Sequence, residues 1–225
     1  MNRLKLFGTI VFTGLIIAVA GTFGSCKKLA LQKDYNRTPD TLDAHLNVSA
    51  WQYLKNRSIG GSPDTIFKRM YDGIIYSGID TNEYIQTNRT FIFLHNDAIY
   101  RVSGSTVQPD CFFGRNLVGG KPATSWTQYS KDFVKAYFQY LLIQGQYSHF
   151  TLPTANQGVS TLAPQNTYTG NPSSVMNLRV YNGSYSNTQD EPIVINDSVN
   201  VRTSDMLPTN GVIQVVDRYI RTSIQ

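Results

Sequence analysis

The apolar residues in the first two thirds of the chain recur mostly at helical spacing, in the stretches 50–56, 63–77 and 130–143. In such a stretch, residues three and four positions apart share one helix face, which packs on the core. Ser62-Pro63 is predicted to open the second helix, because Pro suits the first helical position. Gly78 is predicted to end it, because Gly readily takes the left-handed conformation that follows a helix.

The remaining apolar segments are short, rich in β-branched residues, and bounded by Gly, Pro or Asn. They predict strands at 90–94, 149–152, 175–183, 192–197 and 212–220. The last segment is apolar on both alternating faces, which is typical of a strand buried on both sides. Because helices precede most of the strands, the predicted fold class is α+β.

A polar stretch rich in Gly, Pro, Ser and Thr occupies residues 101–128. Loops on a rigid scaffold are where binding residues concentrate, so this stretch is the favoured contact surface. It also contains Cys111-Phe112-Phe113. Cys111 is therefore expected to be a small buried apolar residue rather than a reactive thiol.

The first 25 residues have the three parts of an export signal. Arg3 and Lys5 supply positive charge, residues 6–20 are apolar, and residues 21–25 are mostly small. The chain therefore predicts a signal peptide over 1–25. A stretch of this length is also close to what a transmembrane helix needs, so an uncleaved membrane anchor over residues 6–24 is the alternative.

The exit of this signal resembles a bacterial lipobox, in which small residues precede a Cys that is diacylated on sulfur. Cys26 is the lipid attachment site that this resemblance implies, and Phe23 stands where the motif usually has Leu. The predicted organisation is then a lipidated N-terminus and tether over 26–48, followed by one folded domain over 49–225. Acyl chains on Cys26 would hold the protein at a membrane.

Composition limits the function further. The chain has a formal net charge of +5, of which Arg3 and Lys5 would leave with the signal peptide. No Lys/Arg cluster marks a nucleic-acid surface. His45, His95 and His149 lack metal-ligand spacing, and His95 is expected to cap a turn. No convergent set of nucleophile, base and acid is readable, so the predicted protein is not an enzyme and has no cofactor or metal.

Exposed aromatic rings are the best candidates for ligand contact, because sugar rings stack on aromatic faces that also carry a polar edge. The five candidates lie at the end of the 101–128 stretch and in the polar strand region, and they are Trp126, Tyr129, Tyr168, Tyr181 and Tyr185. The expected ligand is a glycan or a peptide.

Three segments resemble motifs of the fasciclin (FAS1) domain. Residues 210–217, NGVIQVVD, are similar to the last strand of that family, residues 90–99 to its first motif, and residues 140–145 to its Tyr-His motif. The resemblance covers about residues 49–221. It implies a single FAS1-like β-wedge or sandwich with helices packed at one side, a longer than usual insertion at 101–128, and no catalysis.

The chain departs from the FAS1 motifs at several positions. Leu94-His95 replaces Pro-Thr in the first motif, and Leu141 and Gln214 replace the His of the two later motifs. The Tyr-His motif is linked to cell adhesion in some animal members. Adhesion through that motif is therefore not expected here.

A lipobox followed by a divergent FAS1 domain also resembles lipoproteins of Bacteroidetes that accompany SusC/SusD-type outer-membrane importers. This resemblance implies an accessory binding subunit of a glycan or peptide uptake complex. The subunit would be anchored in the outer membrane through Cys26, face the cell exterior and contact SusC/SusD-like proteins. The acidic export signal common in such lipoproteins is absent from residues 27–31. A cell-adhesion or matrix-binding lipoprotein is the alternative.

Overall fold

Helices and two four-stranded sheets share one apolar core in the computed structural model, which describes residues 43–60, 64–183 and 191–223. The α-helices in chain order are α1 (Ala50–Asn56), α2 (Lys68–Ser77), α3 (Asn96–Ile99), α4 (Phe112–Arg115) and α5 (Lys131–Tyr140). Two 3-10 helices cover Thr81–Tyr84 and Trp126–Gln128. The strands are β1 (Arg89–Leu94), β2 (Val102–Ser103), β3 (Thr106–Val107), β4 (Leu142–Gln144), β5 (Gln157–Ser160), β6 (Val175–Val180), β7 (Ile193–Ile195), β8 (Val199–Asn200), β9 (Thr203–Met206) and β10 (Gly211–Val216).

The sheets confirm the predicted α+β class. One sheet has the order β4-β1-β10-β9 and the other β5-β6-β7-β8, while β2 and β3 form a separate hairpin. The two large sheets meet where Ile143 forms a single bridge to Thr161. A wedge of two sheets results, as predicted.

The last strand is buried on both sides, as its sequence predicts. β10 lies beside β1 in parallel, with Arg89 opposite Gly211 and Leu94 opposite Val216. After its first residue, every residue of β10 is buried. The strand ends at Val216 rather than at Ile220, because the next residues leave the sheet and the Tyr219 N–H donates to Asp110 O at 2.8 Å.

Helix α2 begins at Lys68. The predicted start at Ser62-Pro63 lies outside the described residues, and residues 64–67, which are described, are not helical. Asn96 explains the late start, because its side chain donates to Thr65 O at 2.7 Å and accepts from the Arg69 N–H at 2.9 Å. A residue distant in sequence thereby caps the helix. The predicted end is confirmed, since Gly78 takes a φ of 66°.

Two further predictions are wrong. The helix predicted to reach residue 143 ends at Tyr140, and Leu142–Gln144 instead pairs with β1 as strand β4. The predicted strand at 149–152 is a turn, in which the Ser148 N–H donates to Thr151 Oγ1 at 2.8 Å. In the first case hydrogen bonds to a distant strand override the local apolar pattern, and in the second a local hydrogen bond between Ser148 and Thr151 does so.

The 101–128 stretch is not a free loop, because its aromatic residues are buried in the core, although Val102 and Leu117 are exposed. Cys111, Phe112, Phe113 and Trp126 are all buried. The Cys111 thiol donates to Gln108 O at 3.1 Å and forms no disulfide, so the expectation of a small buried residue is confirmed. This stretch is part of the folded domain.

The fold also begins before the predicted boundary at residue 49. The Leu46 N–H donates to Leu207 O at 2.9 Å, and the Thr209 N–H donates to Val48 O at 3.0 Å. Leu46 packs against the core. In the three described ranges, no helix is both long enough and apolar enough to cross a membrane.

Candidate functional site

Trp126, one of the five aromatic candidates, is buried rather than exposed. Its side chain is only 5% exposed, and its indole N–H donates to Arg69 O at 2.8 Å. Its ring centroid lies 4.8 Å from that of Phe112 and 5.0 Å from that of Phe113. The expectation of a stacking platform at Trp126 is thus corrected, because both the ring and its polar edge are used by the fold.

Tyr129 and Tyr168 are half-buried. The Tyr129 hydroxyl donates to Asn116 O, and the Tyr168 ring packs edge-on against Tyr140 at a centroid distance of 5.6 Å. Tyr181 is 43% exposed, and the guanidinium of Arg179 lies 5.7 Å from its ring centroid. Tyr181 is therefore the one of these three with an accessible ring.

Tyr185 and Cys26 lie outside the described residues, as do the predicted signal peptide and most of the predicted tether. The contact roles of Tyr129, Tyr168, Tyr181 and Tyr185 and the lipidation of Cys26 stay predictions.

Buried Tyr140 and half-buried Tyr129 predict that the fold weakens at high pH. Burial raises the pKa of Tyr129 and of Tyr140 from 10.0 to about 12 in each case. The folded state therefore holds these protons more tightly than the unfolded chain. The contribution of these two groups to the free energy of unfolding is fully present below about pH 10 and is lost as the pH rises from about 10 to about 12.

Chemical unfolding of the full chain at about pH 9 and about pH 11.5 tests this prediction. We expect a lower unfolding midpoint at the higher pH, with a further rise in tyrosinate absorbance as the buried tyrosines become exposed on unfolding. An unchanged midpoint at the higher pH would contradict it.

The turn at residues 148–151 forms one wall of a surface cleft, here called the Phe150 cleft. Its volume is about 580 Å³. It is lined by His149, Phe150, Glu191, Pro192, Val201, Arg202, Ser204 and Asp205. Ligand sites in proteins commonly occupy about 300–1,000 Å³, so this cleft has an ordinary size for one.

Phe150 is 84% exposed and stands at this cleft. Its ring meets the imidazole of His149 edge-on at a centroid distance of 6.0 Å. His149 is held in place because its Nε2–H donates to Glu191 O at 2.8 Å. The histidine thereby supports one side of an exposed phenylalanine ring.

Asp205 forms the other side of the cleft in a strained conformation, with a φ of 58°. The side chain of Gln214 forms two hydrogen bonds with Asp205. Its amide oxygen accepts from the Asp205 N–H at 3.1 Å, and its NH₂ group donates to Asp205 Oδ1 at 2.8 Å. The His149 N–H also donates to both Asp205 carboxylate oxygens, at 3.1 and 3.0 Å. Gln214 is the residue that replaces His in the resembled last motif.

Prediction from the sequence missed this cleft, because a strand at 149–152 would have given Phe150 a place in a sheet. The available signal was Ser148 and Thr151, three positions apart, whose hydroxyls support a turn. This pair indicated a turn less strongly than the apolar segment around it indicated a strand.

The other two histidines have local roles. His45 pairs with Asp43 at 2.7 Å on the exposed surface. His95 caps α3, as predicted, by accepting from the Asp97 N–H at 3.2 Å. Over the described ranges, no group of three or more His, Cys, Asp or Glu side chains is placed to hold a metal ion.

The Phe150 cleft offers groups for binding a polar ligand that has one apolar face. Glu191 and Asp205 supply acceptors, Arg202 supplies donors, and the Ser204 hydroxyl supplies both. The ring of Phe150 offers an apolar surface beside them. Sugars and peptides both combine polar groups with such a face.

Comparison with known proteins gives little guidance. No family model and no curated protein matches the sequence. Among solved structures, the chain is similar to a FAS1 domain pair from the insect cell adhesion molecule fasciclin I, with 14% identity and a TM-score of 0.46. The match covers 69% of this chain and 45% of that chain, so the chain spans less than half of the domain pair. The α+β class rests on the described elements themselves.

Proposed function

We propose that the chain is a non-catalytic binding protein with a FAS1-like domain, whose Phe150 cleft takes a glycan or a peptide. The observation that supports this most directly is Phe150, 84% exposed at a cleft lined with hydrogen-bonding groups. Burying a phenylalanine side chain is worth about 1.5–3 kcal/mol. A ligand that covers the ring gains that energy, because the ring is exposed to solvent in the folded protein.

The two sides of the cleft are prepared for binding. His149 is fixed by Glu191, and Asp205 by Gln214. A preformed site loses less conformational entropy when the ligand arrives. The strain stored at Asp205 is of the kind that clusters at ligand sites.

The proposed setting comes from the sequence. The signal-like first 25 residues and Cys26 support lipid anchoring at the outer membrane, with the domain facing the cell exterior. The resemblance to lipoproteins that accompany SusC/SusD-type importers supports an accessory role in glycan or peptide uptake. The cleft would then present ligand to the importer.

We expect Phe150→Ala to weaken glycan or peptide binding at least tenfold while leaving the fold intact. Covering the ring is worth about 1.5–3 kcal/mol, and about 1.4 kcal/mol is a tenfold change in affinity. The full chain in non-ionic detergent is screened on arrays of neutral oligosaccharides and of peptides. Phe133→Ala is the matched control, because Phe133 is a partly exposed phenylalanine that does not line the cleft.

Equal binding by the Phe150 variant and the parent would contradict the proposed site.

The membrane setting is tested on the full chain purified from solubilised outer membranes. An acylated Cys26 and co-purified SusC/SusD-like proteins are expected. A chain acylated at Cys26 but recovered alone would contradict the accessory role, and adhesion assays would follow. A Cys26 without acyl groups would contradict lipid anchoring.

A further inference from the structure

A second cavity, here called the arginine pocket, lies between the end of α4, the β7–β8 turn and the segment after β10. Its volume is about 370 Å³. It is lined by Pro109, Asp110, Arg115, Ser198, Val199, Arg218, Tyr219 and Arg221. Segments distant in sequence therefore bring three arginines to one cavity.

The acidic groups at this pocket already have partners. Asp110 accepts from Arg218 Nε at 2.7 Å and lies 3.5 Å from Arg101. Asp217 lies 3.2 Å from Arg218 and 3.6 Å from Arg101. These pairs fasten the segment after β10 to the 101–128 stretch, so they have a structural role.

Arg115 and Arg221 take no part in that network. Within the described ranges, neither guanidinium has a carboxylate within 4.0 Å. Both side chains are exposed at the pocket. Both line the pocket together with Tyr219. Burial raises the pKa of Tyr219, while a hydrogen bond with the Asn116 side chain and the charges of Arg115 and Arg221 oppose that rise.

The pocket therefore has an excess of positive charge. Three arginines and one aspartate line it, and Asp217, which pairs with Arg218, is a further carboxylate beside it. Like charges brought together repel, and an anion between them removes that repulsion. Ser198, exposed in the β7–β8 turn, adds a hydroxyl donor to the same wall.

We propose that the arginine pocket binds the oxyanion group of a small acidic ligand about the size of one sugar residue. A carboxylate, a sulfate and a phosphate share the required chemistry, because the planar guanidinium donates two parallel hydrogen bonds to each. The volume of about 370 Å³ accommodates a group of that size. This site is separate from the Phe150 cleft and does not depend on the function proposed for it.

The test is calorimetric titration of the full chain, in non-ionic detergent at low salt, with sodium glucuronate, sodium sulfate, sodium phosphate and glucose. We expect at least one of the three anions to bind and glucose to bind at least tenfold more weakly. The double substitution Arg115→Gln with Arg221→Gln is expected to weaken that anion at least tenfold. Lys55→Gln removes a positive charge from α1, away from the pocket, and is expected to change the affinity less than twofold.

The anion that binds best identifies the source. Preference for glucuronate indicates an acidic sugar, and preference for sulfate or phosphate indicates an ester of that acid. Thermal unfolding of each variant checks the fold, which should persist because Arg115 and Arg221 have no described ion pair to lose.

Three results would overturn the proposal: no binding of any of the anions, equal affinity in the double variant and the parent, or equal binding of glucose and glucuronate. Phe150→Ala is expected to leave anion binding unchanged, so failure at one site is distinguishable from failure at the other.

Discussion

Replacing Phe112 with alanine is expected to lower the free energy of unfolding by about 3–5 kcal/mol, the usual cost of truncating a buried phenylalanine. Phe112 is fully buried, with ring centroids of Tyr137 and Trp126 at 4.7 and 4.8 Å. It also meets Tyr219 edge-on at 5.6 Å. The substitution therefore opens a cavity where α4, α5 and the segment after β10 meet.

Denaturant unfolding followed by circular dichroism measures this effect. Phe150→Ala is the matched control, because the same side chain is removed from a position that is 84% exposed. Its free energy of unfolding is expected to stay within about 0.5 kcal/mol of the parent value. Similar losses in the two variants would contradict the packing described for the 101–128 stretch.

Gly211→Ala is expected to destabilise the fold by about 2–4 kcal/mol, because the central parallel strand pair has no room for a side chain there. A Cβ atom at Gly211 would lie 2.1 Å from Arg89 O and 3.0 Å from the Phe91 ring. Arg89 is the residue directly opposite on β1. The two strands would have to separate at the start of their pairing.

Gly104→Ala serves as the comparison. Gly104 has a φ of 60°, and a methyl group added there would meet no other atom within 4 Å, so only backbone strain of about 1–2 kcal/mol is expected. The same unfolding measurement applies to both variants. A Gly211 variant less destabilised than the Gly104 variant would contradict the close approach of β10 to β1.

The two candidate sites are connected through one carboxylate. Asp217 lies 3.2 Å from Arg218, which lines the arginine pocket, and 3.9 Å from Arg202, which lines the Phe150 cleft. Asp217 follows directly after β10. The central strand thus leads to a carboxylate that pairs with one arginine of each site.

Several features were predictable because they depend on local sequence. The spacing of apolar residues in α2 and α5 indicated both helices, and Gly78 marked where α2 ends. The doubly apolar pattern of residues 212–216 indicated a strand buried on both faces. Cys111 beside two phenylalanines indicated burial.

Other features depended on segments that are distant in sequence but adjacent in the fold. Leu142–Gln144 is a strand because β1 offers it hydrogen-bonding partners, although its apolar spacing continues that of α5. Trp126 is buried because residues 112 and 113 pack against it, whereas its polar surroundings in the sequence suggested exposure.

The sequence by itself determined the α+β class, the buried last strand and the expectation of a binding protein exported with a lipid on Cys26. Only the tertiary structure decided which aromatic ring is exposed, because exposure depends on what packs over a side chain. It placed Phe150 at a cleft and brought Arg115 and Arg221 to one pocket. The charge and shape of a site depend on segments distant along the chain, and no local sequence pattern shows that those segments lie together.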